Sequence, residues 1–382
     1  MSKTIDDFIA ILKGAMNEEK EEINLNDVDF EALFSLSKFH DMAHIVCYEL
    51  KRRGALPDNE TGKRFTKQYD MAILRHIRRT AAISQLRDLL EKERIPFILL
   101  KGAVMMDLYP QQWMRTSADV DILVKEEDVI KVSDILIAAE MTREQECSHH
   151  VSFVSKNNMH IEVHYCLIED FYLAESSEAF KDIWDHVELK KESVSEYVMR
   201  DEWFYLYHIA HMAKHFKTGG CGVRSVLDIW MLDHKVRYDG KKRDNLIGKC
   251  KLTSFETAVK ELSEIWFSGK ENNAAAEELE NYIINGGIYG TPEHGIIIRK
   301  QSENNRFIYY LKRIFMPYRY IKHEYPVLKK CPFLLPFCWA ARWFRLIDPK
   351  KRRAALNEIK IESSADNEES KRIETLIKKL EI

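Results

Sequence analysis

Asp119 and Asp121 stand two residues apart inside an otherwise apolar run, Ala118-Asp-Val-Asp-Ile-Leu-Val124. An extended chain sends residues i and i+2 to the same face, roughly 7 Å apart. Two carboxylates placed that way can jointly hold a divalent cation, or two cations roughly 4 Å apart, as phosphoryl-transfer chemistry requires. The alternative is a surface strand with two solvated carboxylates, its other face carrying Val120, Ile122 and Val124 into a core. Asp is depleted in strands, and like charges on one face repel unless a cation lies between them, which favours a metal site. Upstream, a second apolar run over 97–100 meets Lys101-Gly102 and then a short helical pattern. Glycine at such a turn lets the backbone approach a ligand, and the following helix offers unpaired N–H groups to phosphate oxygens.

A glycine at a strand end, a helix, then hydrophobic-Asp-hydrophobic-Asp-hydrophobic resembles the DNA polymerase beta-like nucleotidyltransferase superfamily. The wording Leu100-Lys101-Gly102, Tyr109, Arg115 and Asp119-Val-Asp-Ile-Leu-Val124 is similar to its bacterial branch of uncharacterised nucleotidyltransferases, most closely over residues 85–165. The resemblance implies an α+β fold: a small mixed β-sheet core with helices packed on it. It implies Mg2+ (or Mn2+) on Asp119 and Asp121, and a nucleoside triphosphate donor, ATP foremost. It also implies a third carboxylate from a neighbouring strand, followed two places later by His. Met159-His-Ile-Glu-Val-His-Tyr165 supplies both: His160, Glu162 and His164 share one face, opposite Ile161 and Val163. Glu162 would deprotonate the attacking hydroxyl or ligate a second cation, with His164 as its neighbour. The bland reading of that strand is a polar outer face of a hairpin. Relatives usually follow the glycine with Gly or Ser, whose hydroxyl meets the triphosphate. Here Ala103 stands there, and Lys101 is expected to compensate as a point charge.

Arg115, four residues before Asp119, is suited to contact phosphate or to pair with an active-site carboxylate; an exposed loop arginine is the competing reading. His208, His211 and His215 share one helix face, and Arg224 and Asp228 lie four apart on the next helix. The histidines are expected to line a cleft or to pack, and the second pair to form a helix-surface ion pair or part of a substrate wall. Residues 299–353 hold 15 Lys/Arg against 3 acidic residues, interleaved with 12 aromatics. RNA, an anionic membrane surface or an acidic partner would suit that run. The apolar positions Phe307, Tyr309, Tyr310, Leu311, Ile314, Phe315 and Tyr318 favour instead a helical cap buried on one side.

The elements that must hold these groups follow from periodicity. Short helices fill 4–54, with one helix start at Asn26, and a long helix runs over 59–94 with Met71, Leu74, Ile77, Ala81, Ile83, Leu86 and Leu90 on its apolar face. Strands are expected over 97–100 and 118–124, helices over 103–109 and 129–141, and a hairpin over 151–165 around Lys156-Asn157-Asn158. From 193 onward the chain reads as helical, interrupted by a Gly/Pro loop at 286–292. The resulting division is an N-terminal helical segment 1–58, a catalytic core 59–192, a helical domain 193–360 and a polar tail 361–382 with a short helix.

At 382 residues the chain can bury more than one core. A net charge of −3 predicts no global attraction to nucleic acid. Seven scattered cysteines without a C-x-x-C pair read as reduced thiols in a cytoplasmic protein. No signal peptide or membrane span is expected, since the greasiest stretch, 331–341, is short and broken by Pro332 and Pro336. The expected function is transfer of a nucleoside monophosphate to a hydroxyl on a small molecule, sugar or protein. Two alternatives stand beside it: transfer onto RNA, and a non-catalytic nucleotide-sensing or interaction protein that keeps the fold.

Overall fold

The structure, a computed structural model, describes residues 3–17, 23–147, 149–156, 158–288, 290, 311, 314–325, 327–344, 348, 352–353 and 367–382. Three helices open the chain: α1 (Lys3–Met16), α2 (Phe30–Phe39) and α3 (Ala43–Arg52). The start of α2 differs from the expected Asn26: Asp29 caps it, its carboxylate accepting from the N–H groups of Glu31 and Ala32. The long helix α4 (Glu60–Lys92) is capped in the same way by Asn59. Its C-terminal half buries Ala82, Ile83, Leu86 and Leu90, whereas Met71, Leu74 and Ile77 stand partly exposed. Arg79 is also buried there, 1% exposed.

The sheet has seven strands: β1 (Phe97–Leu99), β2 (Asp119–Val124), β3 (Thr142–Glu146), β4 (His150–Val154), β5 (His160–His164), β6 (Val187–Leu189) and β7 (Glu196–Met199). Their spatial order is β3-β4-β5-β2-β1-β7-β6, with β2/β5 and β1/β7 parallel and the other pairs antiparallel. It is the mixed sheet of an α+β fold. Period-two alternation sorts the side chains of the central strands. Val120, Ile122 and Val124 of β2 join Ile161 and Val163 of β5, Phe153 and the end of α4 in one core. Asp119, Asp121, His160, Glu162 and His164 take the opposite face. Also on that side, α8 (Asp201–Thr218) and α9 (Val223–Lys235) lie among the helices of a second core.

Three strands were not expected. β3, Thr-Arg-Glu-Gln-Glu, is an edge strand paired only to β4, and so polar a segment carries no alternation signal. β6 and β7 fall where the chain reads as ending its sheet. β7 exists because its main chain pairs with β1, and its buried Glu196 is matched by Arg87 at 2.7 Å and Lys190 at 2.7 Å. The helix expected over 103–109 is only α5 (Gly102–Met105) followed by a 3-10 turn at Met106–Leu108. Tyr109 precedes Pro110, which disfavours helical geometry there, and it is extended (φ −82°, ψ 151°).

The helices α10 (Gly240–Lys249), α11 (Thr253–Ser268) and α12 (Ala274–Gly286) share the second core with α1, α3, α8 and α9. The last helix, Asn367–Lys379, adds Ile373 and Leu376 to it. Much of the run 299–353, including Phe307, Tyr309 and Tyr310, lies outside the described residues. Its described helices Tyr318–Glu324, Val327–Lys330 and Leu335–Phe344 gather around Ile321, Leu328 and Cys338. Leu311, Ile314, Phe315 and Tyr318 are more than a third exposed, against the expected buried stripe. None of the seven cysteines is disulfide-bonded. Among the described residues no helix is long and apolar enough to cross a membrane.

Candidate active site

The parallel pairing of β2 with β5 builds the site. It sets Asp121 directly beside Glu162, and Asp119 beside His160. Asp121 is 2% exposed, so the solvated-carboxylate alternative does not hold for it. Its Oδ1 accepts from Lys101 Nζ at 2.7 Å and lies 2.8 Å from His164 Nε2, which in turn is 3.1 Å from Glu162 Oε2. One donor atom from each of Asp121, Glu162 and His164 lies within 4.8 Å of the other two, spacing suited to a shared divalent cation. His164 therefore belongs to the donor set itself. Asp119 lies outside that set: its Oδ1 accepts from Ser117 Oγ at 2.6 Å.

Electrostatics separates the two aspartates. Burial disfavours the charge on Asp121, but the Lys101 ammonium and the His164 contact outweigh it and hold the carboxyl well below its usual range. Burial and the neighbouring Asp121 charge push Asp119 up instead, only partly offset by Lys101 and Ser117. Burial also opposes the charge on Lys101, yet its attraction to Asp121 keeps it raised. The Asp121 carboxylate thus leans on an internal cation, the Lys101 ammonium.

Lys101 sits in a backbone geometry that side chains rarely adopt, φ 46° and ψ −122°. At Lys101-Gly102 it is the lysine that carries the unusual turn, while the glycine allows close approach. A Cβ on Gly102 would lie 3.1 Å from Ser117 Cβ and 3.2 Å from its Oγ. Ser117 thus places a hydroxyl against the glycine, where the side chain of Ala103 has none. The helix that follows is one turn long, a weaker N-terminus than the pattern over 103–109 promised.

Arg115 is buried and pairs with a carboxylate, though not with Asp119 or Asp121: its Nε donates to both oxygens of Asp228 at 2.8 and 3.0 Å. Tyr109 Oη donates to the same Asp228 at 2.7 Å. Arg224 and Asp228 form no i,i+4 pair, because Arg224 reaches Asp41 at 3.5 Å and the Thr116 carbonyl at 3.2 Å. The loop before β2 is pinned by its carbonyls. Arg79 donates to Arg115 O at 2.7 Å, and His44 Nε2 lies 2.9 Å from Met114 O.

Many of these groups border one cleft of about 290 Å³, at the lower edge of the roughly 300–1,000 Å³ usual for ligand pockets; Asp121, Tyr109, Arg79 and His44 support its walls without lining it. Lys101, Gly102, Arg115, Asp119, Glu162 and His164 line it from the sheet side; His208, His211, His215, Arg224 and Asp228 line it from α8 and α9. Burial lowers His208 and His215 to about 4 and holds His211 well below its usual range, which keeps these imidazoles neutral at pH 7. Ser117, Tyr207, His149 and Lys214 also line the cleft and were not anticipated. The two histidines at 149 and 150 had a readable signal. A hairpin turning at 156–158 that pairs Val154 with His160 must pair His150 with His164, and it does.

The fold and cleft define a class: a mixed-sheet α+β protein whose parallel central strands carry an acidic and histidine donor set beside a buried lysine. The chain belongs to the uncharacterised nucleotidyltransferase family, whose model matches residues 26–267. That span takes in α2 through nearly all of α11, so it includes both walls of the cleft. No curated protein and no solved structure matches the chain significantly. Nucleotidyl transfer is thus the general activity of the family to which the cleft belongs.

Proposed function

We propose that the protein moves a nucleoside monophosphate from a nucleoside triphosphate, with ATP the expected donor, to a hydroxyl on a small molecule, sugar or protein. The observation that carries this reading is the β2–β5 register, which sets Asp121 beside Glu162 with Lys101 2.7 Å away. The donor set fits a divalent cation of the Mg2+ or Mn2+ kind: Asp121, Glu162 and His164 would hold it, with Asp119 adjacent. Bound there, the ion would supply charge neutralisation for the phosphates. Lys101 contributes a fixed positive charge; Arg115 lines the cleft with its charge paired to Asp228, and Ser117 would donate to a phosphate oxygen only on releasing Asp119 Oδ1. Glu162, 26% exposed against 2% for Asp121, is open enough to take the proton of an acceptor hydroxyl as it attacks the α-phosphorus and pyrophosphate leaves.

The test is incubation with each α-labelled nucleoside triphosphate, Mg2+ or Mn2+ and a cell extract, beside an Asp119→Asn/Asp121→Asn variant. Label moved to an acceptor by the unaltered protein, and about a hundredfold less by the variant, is the expected result. Equal labelling by both proteins would sink the assignment of the carboxylates. A second reading, a non-catalytic nucleotide sensor, is favoured by the fact that the Lys101 ammonium already pairs with Asp121. It predicts cation-dependent nucleotide binding without label transfer.

A further inference from the structure

We propose that His149, His150 and His164 form a binding site for a divalent transition-metal ion, on the Glu162 side of the carboxylate set. This concerns what the cleft binds and does not depend on nucleotidyl transfer. His150 and His164 are direct partners across β4 and β5, and His149 sits next to them at the entry to β4. The ring centroids are 4.4 Å apart for His149/His150, 5.1 Å for His150/His164 and 5.7 Å for His149/His164. One nitrogen from each ring lies within 4.8 Å of the other two. A tetrahedral ion with bonds of about 2.0–2.1 Å needs donors roughly 3.3 Å apart, so ring rotations closing at most about 1.5 Å complete it.

Packing alone would also bring three imidazoles together at the ends of paired strands. One feature argues against that reading. His149 Nδ1 lies 2.8 Å from Glu169 Oε1, and Glu169 is itself held by Lys214 at 2.6 Å. A carboxylate on one imidazole nitrogen fixes the ring and leaves the other nitrogen as a donor, the usual arrangement behind a metal-bound histidine. Glu162 Oε1, 3.8 Å from His150 Nε2, supplies an oxygen for a fourth position. Three imidazoles and one carboxylate select zinc, cobalt or nickel over magnesium, which prefers oxygen donors and retained waters. His164 joins both donor sets, so an ion here would alter its 2.8 Å contact with Asp121.

The experiment uses the tag-free full chain, stripped with chelator and dialysed against Zn2+ in excess Mg2+, with Co2+ absorption as a second readout. We expect one Zn2+ retained per chain, and a visible Co2+ spectrum of a nitrogen-rich site. His149→Gln/His150→Gln should weaken Zn2+ binding at least about tenfold, whereas Asp119→Asn should retain it. No Zn2+ or Co2+ bound by the unaltered protein, displacement by equimolar Mg2+, or unchanged affinity in the double variant would overturn the site. If the double variant does not fold by circular dichroism, His150→Gln and the Mg2+ competition decide the matter. Zinc retained by a chain that transfers no label would count against the proposed reaction and leave this site standing.

Discussion

Arg115 is held by a carboxylate far from it in sequence. Its distance in sequence from Asp119 suggests a partner among the nearby carboxylates, but its guanidinium turns the other way, to Asp228 on α9. Burial works against its charge, and the Asp228 carboxylate more than restores it. Removing one member of such a pair leaves the other charged and buried. We therefore expect Asp228→Asn to cost about 3–5 kcal/mol in denaturant unfolding, and a joint apolar replacement of both residues to recover most of that. A loss below 1 kcal/mol for Asp228→Asn would mean the pair is solvated in solution. The carboxylates themselves were legible, because acidic residues alternating with Val and Ile repel one another on a strand face unless a cation meets them. His149 and His150 were not singled out, although the turn at 156–158 carried the register that places them.

Among the elements, the junction between β1 and α5 departs from ordinary backbone preference. Lys101 holds a positive φ that glycine adopts at little cost, while its side chain makes the 2.7 Å contact with Asp121. Backbone strain and charge pairing can be separated by comparing two variants that both lose the ammonium. Lys101→Gly is expected to be more stable than Lys101→Ala by about 1–3 kcal/mol, the usual range for such strain. Equal stabilities would show that the turn relaxes without penalty. Helix α2 ends at another informative contact: His40 Nε2 lies 3.1 Å from the carbonyl of Ile284 on α12. Burial lowers this imidazole to about 4, so between about 6.5 and 4 the unfolded chain binds a proton that the folded one refuses. Stability is therefore full above the unfolded value and is lost as pH falls through that window, by on the order of 3 kcal/mol. His40→Gln should flatten that part of the unfolding-versus-pH curve; an unchanged slope would exclude His40 as its source.

For the whole molecule, the larger core is assembled from segments far apart in the chain. α1 packs against α2, α3 and α11, and side chains from α8, α9 and α12 belong to the same cluster. Leu12, fully buried, is one of its members. Leu12→Ala is expected to cost about 2–5 kcal/mol. It should accelerate amide exchange in α11 as well as in α1, since both depend on the same packed cluster. Acceleration confined to α1 would mean that the N-terminal helices unfold separately.

What the chain determines locally is clear from its periodic segments. The alternation in β2 and β5, the capped start of α4 and the helical spacing of α8 and α9 each follow from neighbours along the sequence, because backbone geometry imposes those periods. The carboxylate face was readable for that reason. Pairing across the sheet and the partners of buried charges had to come from tertiary structure. β7 and β3 have no strong pattern of their own, and a charged residue in sequence points at no particular partner. Asp121 meets Lys101 and His164, Arg115 meets Asp228, and Arg79 holds the loop that presents them, only because strands and helices distant in sequence are packed together. Hydrophobic period is a property of a segment, whereas the balance between desolvation and charge pairing exists only once the segments have met.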